Sequence, residues 1–357
     1  VLAWKDYRLQ PSRDPQIDAV IDAEGWYTTP IPRKELKAFV RRDDGKAARH
    51  FGLWALLLAG SAGCLIAAWN SWWAVPAVIL YGLIYNSADS KWHELSHGTP
   101  FTSHRINEAL YTLVSFMTLR EPVRWRWSHA RHHTHTIVVG QDPEIASPRP
   151  PHIILSVLGL WYIRGLWEEI KLVLAISMGR IPRTVGAYVP KERFAAMVRS
   201  SRVFVLYIMG IVLACLVTSS ILPAMLVGLP RLYGSFLHYL CAFTQHAGLD
   251  EDVLDHRLNA RTMLLNPAFA FLYTNMNYHI EHHMFPMVPF YHLPALHERI
   301  RDDCPPPCDG LVAAYREIIQ TLWRQRSDPS FYAHRVLPAD AGPAHGVHFR
   351  GAPGLAT

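Results

Sequence analysis

Residues 51–97 read FGLWALLLAGSAGCLIAAWNSWWAVPAVILYGLIYNSADSKWHELSH. Two stretches within it, 51–69 and 72–88, carry no charged side chain, and each is long enough to cross the roughly 30 Å hydrocarbon layer of a bilayer. Asn70 and Ser71 join them as a short turn, which makes a helical hairpin. Its second arm leads into HELSH, where His93 and His97 stand four residues apart and share one face of a helix. A membrane hairpin that ends in paired imidazoles frames the reading of the rest.

Residues 203–245 form a second apolar stretch, interrupted around Pro223, Gly228 and Pro230, with Arg231 as its one charged residue. The composition, 50% hydrophobic and 18% charged, fits a membrane protein with a substantial polar part better than two soluble domains. No strand-like alternation of useful length occurs. Segments 106–119 and 153–178 mix apolar and charged residues, which suits helices lying at the interface. The expected fold is an all-α integral membrane protein with four transmembrane helices, arranged as two hairpins under a helical cytosolic cap that holds a His-rich dinuclear metal site. Its expected parts are a cytosolic segment at 1–50, a membrane domain at 51–335 and a disordered Gly-, Pro- and Ala-rich tail at 336–357.

Charge sets the orientation. Of the 35 Lys and Arg residues, all but Arg231 lie in or beside segments that can be cytosolic, as basic residues near spans prefer. The turns at 70–71 and 222–231 then lie outside. The net charge of +6 reads as this asymmetry, and the absence of a continuous basic strip argues against nucleic acid. The first fifty residues are polar and mixed in charge, unlike a secretory signal. Cys304 and Cys308 flank three prolines and read as unlinked thiols.

Two further clusters repeat the spacing H-x-x-H-H: His129, His132 and His133 in HARHH, and His279, His282 and His283 in HIEHH. Imidazole must be neutral to bind a metal, and cationic imidazoles so crowded would repel one another, so a metal gives the crowding a physical purpose. HELSH is also an H-E-x-x-H sequence, in which Glu94 would be the general base of a zinc peptidase. That reading needs three protein ligands and a water, and leaves the other clusters without a role. A metal transporter is the remaining alternative, but its ligands would sit within the membrane rather than at its edge. Ligand chemistry alone does not choose among Zn, Cu, Fe and Ni.

The boxes HELSH, HARHH and HIEHH, in this order around two hairpins, together with HHMFPMVPFYHLPALHERI at 282–300, resemble the membrane fatty acid desaturase and hydroxylase superfamily over roughly residues 50–300. The resemblance implies two non-haem irons held almost entirely by His, with O2 as co-substrate and an external electron donor, acting on an unactivated carbon. It implies His93, His97, His129, His132, His133, His279, His282 and His283 as ligands. Family members also carry a lone ligating His where TQHAGLDED places His246, which would give one iron a fifth imidazole. The stretch SFMTLREPVRWRWSHARHHTHTIVVGQDPEI at 115–145 is similar to bacterial desaturase-like oxygenases of rhizopine catabolism. That likeness implies a bacterial inner membrane, and hydroxylation leading to demethylation of a small polar substrate as an alternative to desaturation of a lipid-like one.

The chain shows no haem-binding H-P-G-G, Rieske C-x-H pair, ferredoxin-type Cys run or G-x-G-x-x-G. A separate ferredoxin, of Rieske or another type, and its reductase are therefore the expected donors, with membrane lipid and an aliphatic substrate as the other partners. Asp142 and Glu144 are candidates for orienting ligand imidazoles. His104 and His135 read as surface residues, His238 as buried but not ligating, and Asp250, Glu251, Asp252 and Asp255 as a solvated acidic loop.

Overall fold

The computed structural model describes residues 5–145, 148–158 and 160–349. Helices dominate it, and the described residues contain isolated β-bridges but no strand. In chain order the elements that position the site are α1 (Pro15–Glu24), α2 (Asp44–Ala68), α3 (Ala74–Asn86), α4 (Ala88–Ser96), α5 (His104–Met117), α6 (Pro122–Thr134), α7 (Leu160–Ser177), α8 (Phe194–Thr218), α9 (Phe236–Thr244), α10 (His279–Met284), α11 (Leu293–Ile300) and α12 (Gly310–Gln325). Asp43 caps α2 by accepting from Lys46 N, and Glu121 caps α6 ahead of Pro122 at its first turn, both as the orphan amides of a helix start require.

Two helical stretches, Arg33–Ala68 and Lys191–Thr218, are long and apolar enough to cross a membrane. Their apolar side chains point outward: Leu53, Leu56 and Ile66 on the first, and Leu206, Met209, Leu213 and Val217 on the second, are exposed. A soluble core helix of this composition would bury them. α3 packs along α2 as the hairpin requires, and Trp54 Nε1 donates to Ile84 O across it at 3.1 Å. Helices also form at the two expected interfacial segments, α5 with exposed Ile106 and Leu113, and α7 with exposed Trp167 and Leu174.

The second apolar stretch is interrupted around Pro223, Gly228 and Pro230 as expected, but its second arm is not one long helix. Beyond α8 the chain breaks into Leu222–Leu226, Pro230–Tyr233 and α9. These pieces run alongside α3: Tyr81 Oη donates to Leu226 O at 2.6 Å, and Asn86 Nδ2 to Pro230 O at 2.5 Å. The backbones meet at Gly82 and Gly234, where a Cβ on Gly234 would stand 2.3 Å from Gly82, so neither position has room for a side chain. Arg231 is therefore not on a solvated turn. It is buried and paired with Asp89, the second residue of α4. A count of basic residues treats each charge alone; here the other hairpin carries the carboxylate that lets Arg231 sit inside.

Two loops also differ from their sequence reading. Asp250, Glu251, Asp252 and Asp255 are buried rather than solvated. Glu251 pairs with Arg149 and Lys5, Asp252 accepts from Val139 N, and Asp255 takes the fork of Arg257 at 3.0 and 2.7 Å. The stretch 342–349 is packed, not disordered. Arg257 donates to Gly342 O and Pro343 O, Leu254 N donates to Gly346 O, and Phe349 packs with Ile17, Ile21, Val138 and Leu254. Gly and Pro suggest disorder by composition, but their carbonyls still accept from a buried arginine. Residues 350–357 of the tail lie outside the described residues. Cys304 and Cys308 are free thiols.

Candidate metal centre

The clusters converge through short, stiff elements. α4 presents His93 and ends at His97. α6 carries His129, His132 and His133 in its last turns, and α10 is one short helix made almost entirely of the third box. His246 follows α9. Together they form two sets whose nitrogens lie within 4.8 Å of one another: His93, His97, His129, His133 and His282 in the first, and His132, His246, His279 and His283 in the second. Both repeated boxes are divided between the sets. His133 and His283 stack at 4.2 Å between ring centroids and join the two.

Within each set the ring nitrogens face one another. His97 Nε2 and His133 Nε2 stand 3.0 and 3.1 Å from His129 Nε2, and His246 Nε2 and His283 Nε2 stand 2.9 and 3.0 Å from His279 Nε2. With metal–nitrogen bonds of about 2.1 Å, ligands at right angles lie about 3.0 Å apart and tetrahedral ones about 3.4 Å apart. The observed contacts match right-angle edges. The Nε2 atoms of His93 and His282 are buried with no protein partner, which a metal would supply. Burial first, and then the neighbouring imidazoles, hold His129, His133, His282 and His283 well below the usual histidine range. The rings are thus neutral donors, as ligation requires. The residues fit a pair of metal ions bound through imidazole.

Outside the sets, oxygen atoms orient the rings through Nδ1. Asp142 Oδ2 accepts from His132 Nδ1 at 2.9 Å, Asn259 O from His246 Nδ1 at 2.7 Å, and Glu144 Oε2 lies 3.4 Å from His129 Nδ1. Thr136 Oγ1 is 3.2 Å from His283 Nδ1. The acidic pair read from QDPEI is here; Thr136 and Asn259 gave no sequence signal, since one acts through a hydroxyl and the other through its backbone. Burial pushes Glu144 up to about 7. On His132 burial is outweighed by the Asp142 carboxylate, and its pKa rises. Replacing Asp142 by asparagine should weaken metal binding about 10- to 100-fold, read as metal retained against a graded chelator; retention equal to the parent protein would show that Asp142 does not hold His132.

The remaining candidates fall elsewhere. Glu94 accepts from Thr99 Oγ1 at 2.5 Å and from Phe290 N at 3.1 Å, and burial raises it to about 7; it belongs to neither set. His104 is exposed, while His135 is buried against Asp18 at 2.8 Å and is not a surface residue. His238 lies 3.4 Å from Asp89. His246 joins the second set as its fourth member, so the set of five is completed by His282 instead. A cavity of about 280 Å³ opens beside His132 and His246; Ile137, Phe243 and Leu249 wall it, and Glu144 and Gln325 line it with polar atoms.

Among the described residues, a helical fold with two long, outward-facing apolar helices and two adjoining all-imidazole sets fits a membrane protein of the His-box, metal-binding class. The family model for fatty acid desaturase matches residues 70–313, and the chain belongs to that family, which makes it a desaturase-type oxidoreductase. It is 23% identical over 246 residues to the sn-1 linoleoyl-lipid 6-desaturase of Synechocystis sp. (strain ATCC 27184 / PCC 6803 / Kazusa), an alignment covering 59% of this chain and 67% of the relative.

Proposed function

We propose that this chain is a membrane di-iron monooxygenase or desaturase that uses O2 and electrons from a separate donor to hydroxylate, demethylate or desaturate an unactivated C–H bond. The observation that carries the reading is the division of nine buried or half-buried imidazoles into adjoining sets of five and four, with nitrogen pairs near 3.0 Å in each. His93, His97, His129, His133 and His282 would hold one iron, and His132, His246, His279 and His283 the other. The bound irons would supply the activation of O2. Desaturation then removes two hydrogens from adjacent carbons and, with two electrons and two protons, leaves two waters; hydroxylation inserts one oxygen atom and leaves one.

The protein's own residues would set the geometry and the dryness of the reaction. Asp142, Asn259 and Thr136 orient the rings, and the cavity beside His132 and His246 offers apolar walls for the carbon to be oxidised. The Synechocystis relative acts on a linoleoyl lipid by its name, which favours a lipid-like substrate. The likeness of residues 115–145 to rhizopine-catabolism oxygenases favours a small methoxylated one, and the unpartnered Oε1 atoms of Glu144 and Gln325 at the cavity would accept from its hydroxyl or amine groups.

The reading includes four spans, with the polar cap and the metal pair facing the cytosol of a bacterial inner membrane. Arg231 beside Asp89 supports it, because no Lys or Arg then has to lie on the outer side. The donor is a ferredoxin with its reductase. Supplying the purified protein with both and a panel of lipids, alkanes and methylated amines or ethers should give an oxidised product by mass spectrometry, from protein that binds about two irons per chain. One zinc per chain with peptide cleavage and no such product would overturn it.

A further inference from the structure

Most of the imidazoles in the two sets are buried, and the proposed donor is a separate protein, so its electrons must cross part of this protein to reach them. His256 is buried, belongs to neither set, and lies with its ring centroid 4.9 Å from that of His283. Its Nδ1 is 3.2 Å from Asn259 Oδ1, and the backbone oxygen of Asn259 accepts from His246 Nδ1. His256 therefore touches the second set through a ring and through a hydrogen-bonded residue. Trp26 stacks on His256 with centroids 4.1 Å apart and planes within 3°. The indole is half-buried and reaches the surface.

The stack is held in place from several sides. Trp26 Nε1 donates to Thr134 O at 3.1 Å, Tyr27 N donates to Leu254 O at 2.8 Å, and His345 Nε2 bonds Gly25 O at 3.0 Å. This fixes an indole from the N-terminal segment against a ring that packs on the metal ligands. We propose that the Trp26–His256 stack is the route by which a one-electron protein donor reduces the metal pair. The inference rests on the di-iron reading above. Each electron leaves the reduced donor and converts one ferric ion to ferrous, and no bond in the protein is made or broken.

A second series of rings, Trp125, Trp92 and His129, also approaches the centre, but its contacts are edge-on at 87° and 62° with centroids 5.9 and 5.5 Å apart. Tunnelling weakens steeply with distance, and parallel rings in contact overlap better than edge-on ones. The guanidinium of Arg120 lies over both indoles at 4.0 and 4.7 Å, and the Trp125 Nε1 is engaged by Glu169. The Trp26 series has the shorter contacts and the one parallel pair; its inner contact, His256 on His283, is tilted by 51° at 4.9 Å.

The test is anaerobic stopped-flow reduction of iron-loaded protein by excess reduced [2Fe–2S] ferredoxin, with iron content and peroxide-driven product formation measured beside it. Trp26→Leu should slow reduction roughly tenfold or more while leaving iron and peroxide-driven turnover unchanged; Trp26→Phe should recover most of the rate, and Trp125→Leu should keep the parent rate. A purely packing role for Trp26 would lower iron and peroxide-driven turnover in step with the reduction rate, and that result overturns the proposal. So does a parent rate in Trp26→Leu, or a loss that appears in Trp125→Leu instead. If Trp26→Leu does not fold, His256→Gln takes its place: slowed reduction with iron retained is expected, and an unchanged rate overturns the route. Parent protein that binds no iron would fail the di-iron reading itself, a result separate from any of these.

Discussion

Replacing His246 by alanine abolishes turnover and lowers bound iron from about two per chain to about one, because the second set then keeps only three imidazoles. His246 Nε2 stands 2.9 Å from His279 Nε2, and its other nitrogen is fixed on Asn259 O, so the ring is aimed into the set by a backbone atom that no substitution removes. The protein should still extract and elute as the parent does, since His246 bridges no distant elements through an ion pair. His238→Ala is the control. That ring lies beside Asp89 and outside both sets, and its loss should leave iron and product formation in place. Iron by elemental analysis, with product by mass spectrometry, decides the matter: two irons and normal turnover in His246→Ala would remove it from the centre.

Asp89→Asn should cost about 3–5 kcal/mol of stability, the usual result of removing one partner from a buried ion pair. The carboxylate is 3% exposed and is shared by Arg120 and Arg231, themselves 14% and 1% exposed. It ties α4 to the segment before α6 and to the broken helix of the second apolar stretch, and the latter pair joins the two hairpins just before the first His box. Arg231→Leu should cost less, because Arg120 continues to neutralise Asp89. Thermal unfolding in detergent, followed by the monodisperse fraction on size exclusion, measures both. Asp89→Asn with a parent-like transition would mean that the pair is not what holds the hairpins together.

The parts of this protein that are legible in its sequence are those written in consecutive residues. An uncharged run of the length of 51–69 needs no partner to declare itself, and i, i+4 spacing puts His129 with His133 and His279 with His283 on single helix faces. Each of those pairs does enter one set. The third member of each box, His132 or His282, crosses to the other set, and that choice depends on how α6 and α10 meet in space. The same limit explains Arg231, the acidic residues after His246 and the stretch 342–349. Each takes its environment from a residue far along the chain, Asp89, Arg149 or Arg257, and composition reports only what is near.

The crossing of His132 and His282 has a consequence for how the centre fills. Because α6 and α10 each serve both sets, an ion captured by either one restrains both helices and removes part of the ordering cost for the next ion. Where both sets are intact, occupancy by the proposed metal pair would then be cooperative, with the second ion bound more tightly than the first by whatever restraint the first has already imposed. A scarce supply of metal would leave a population of full and empty molecules rather than half-filled ones, so an average metal content measured on such a sample would describe a proportion of molecules and not the state of any one of them.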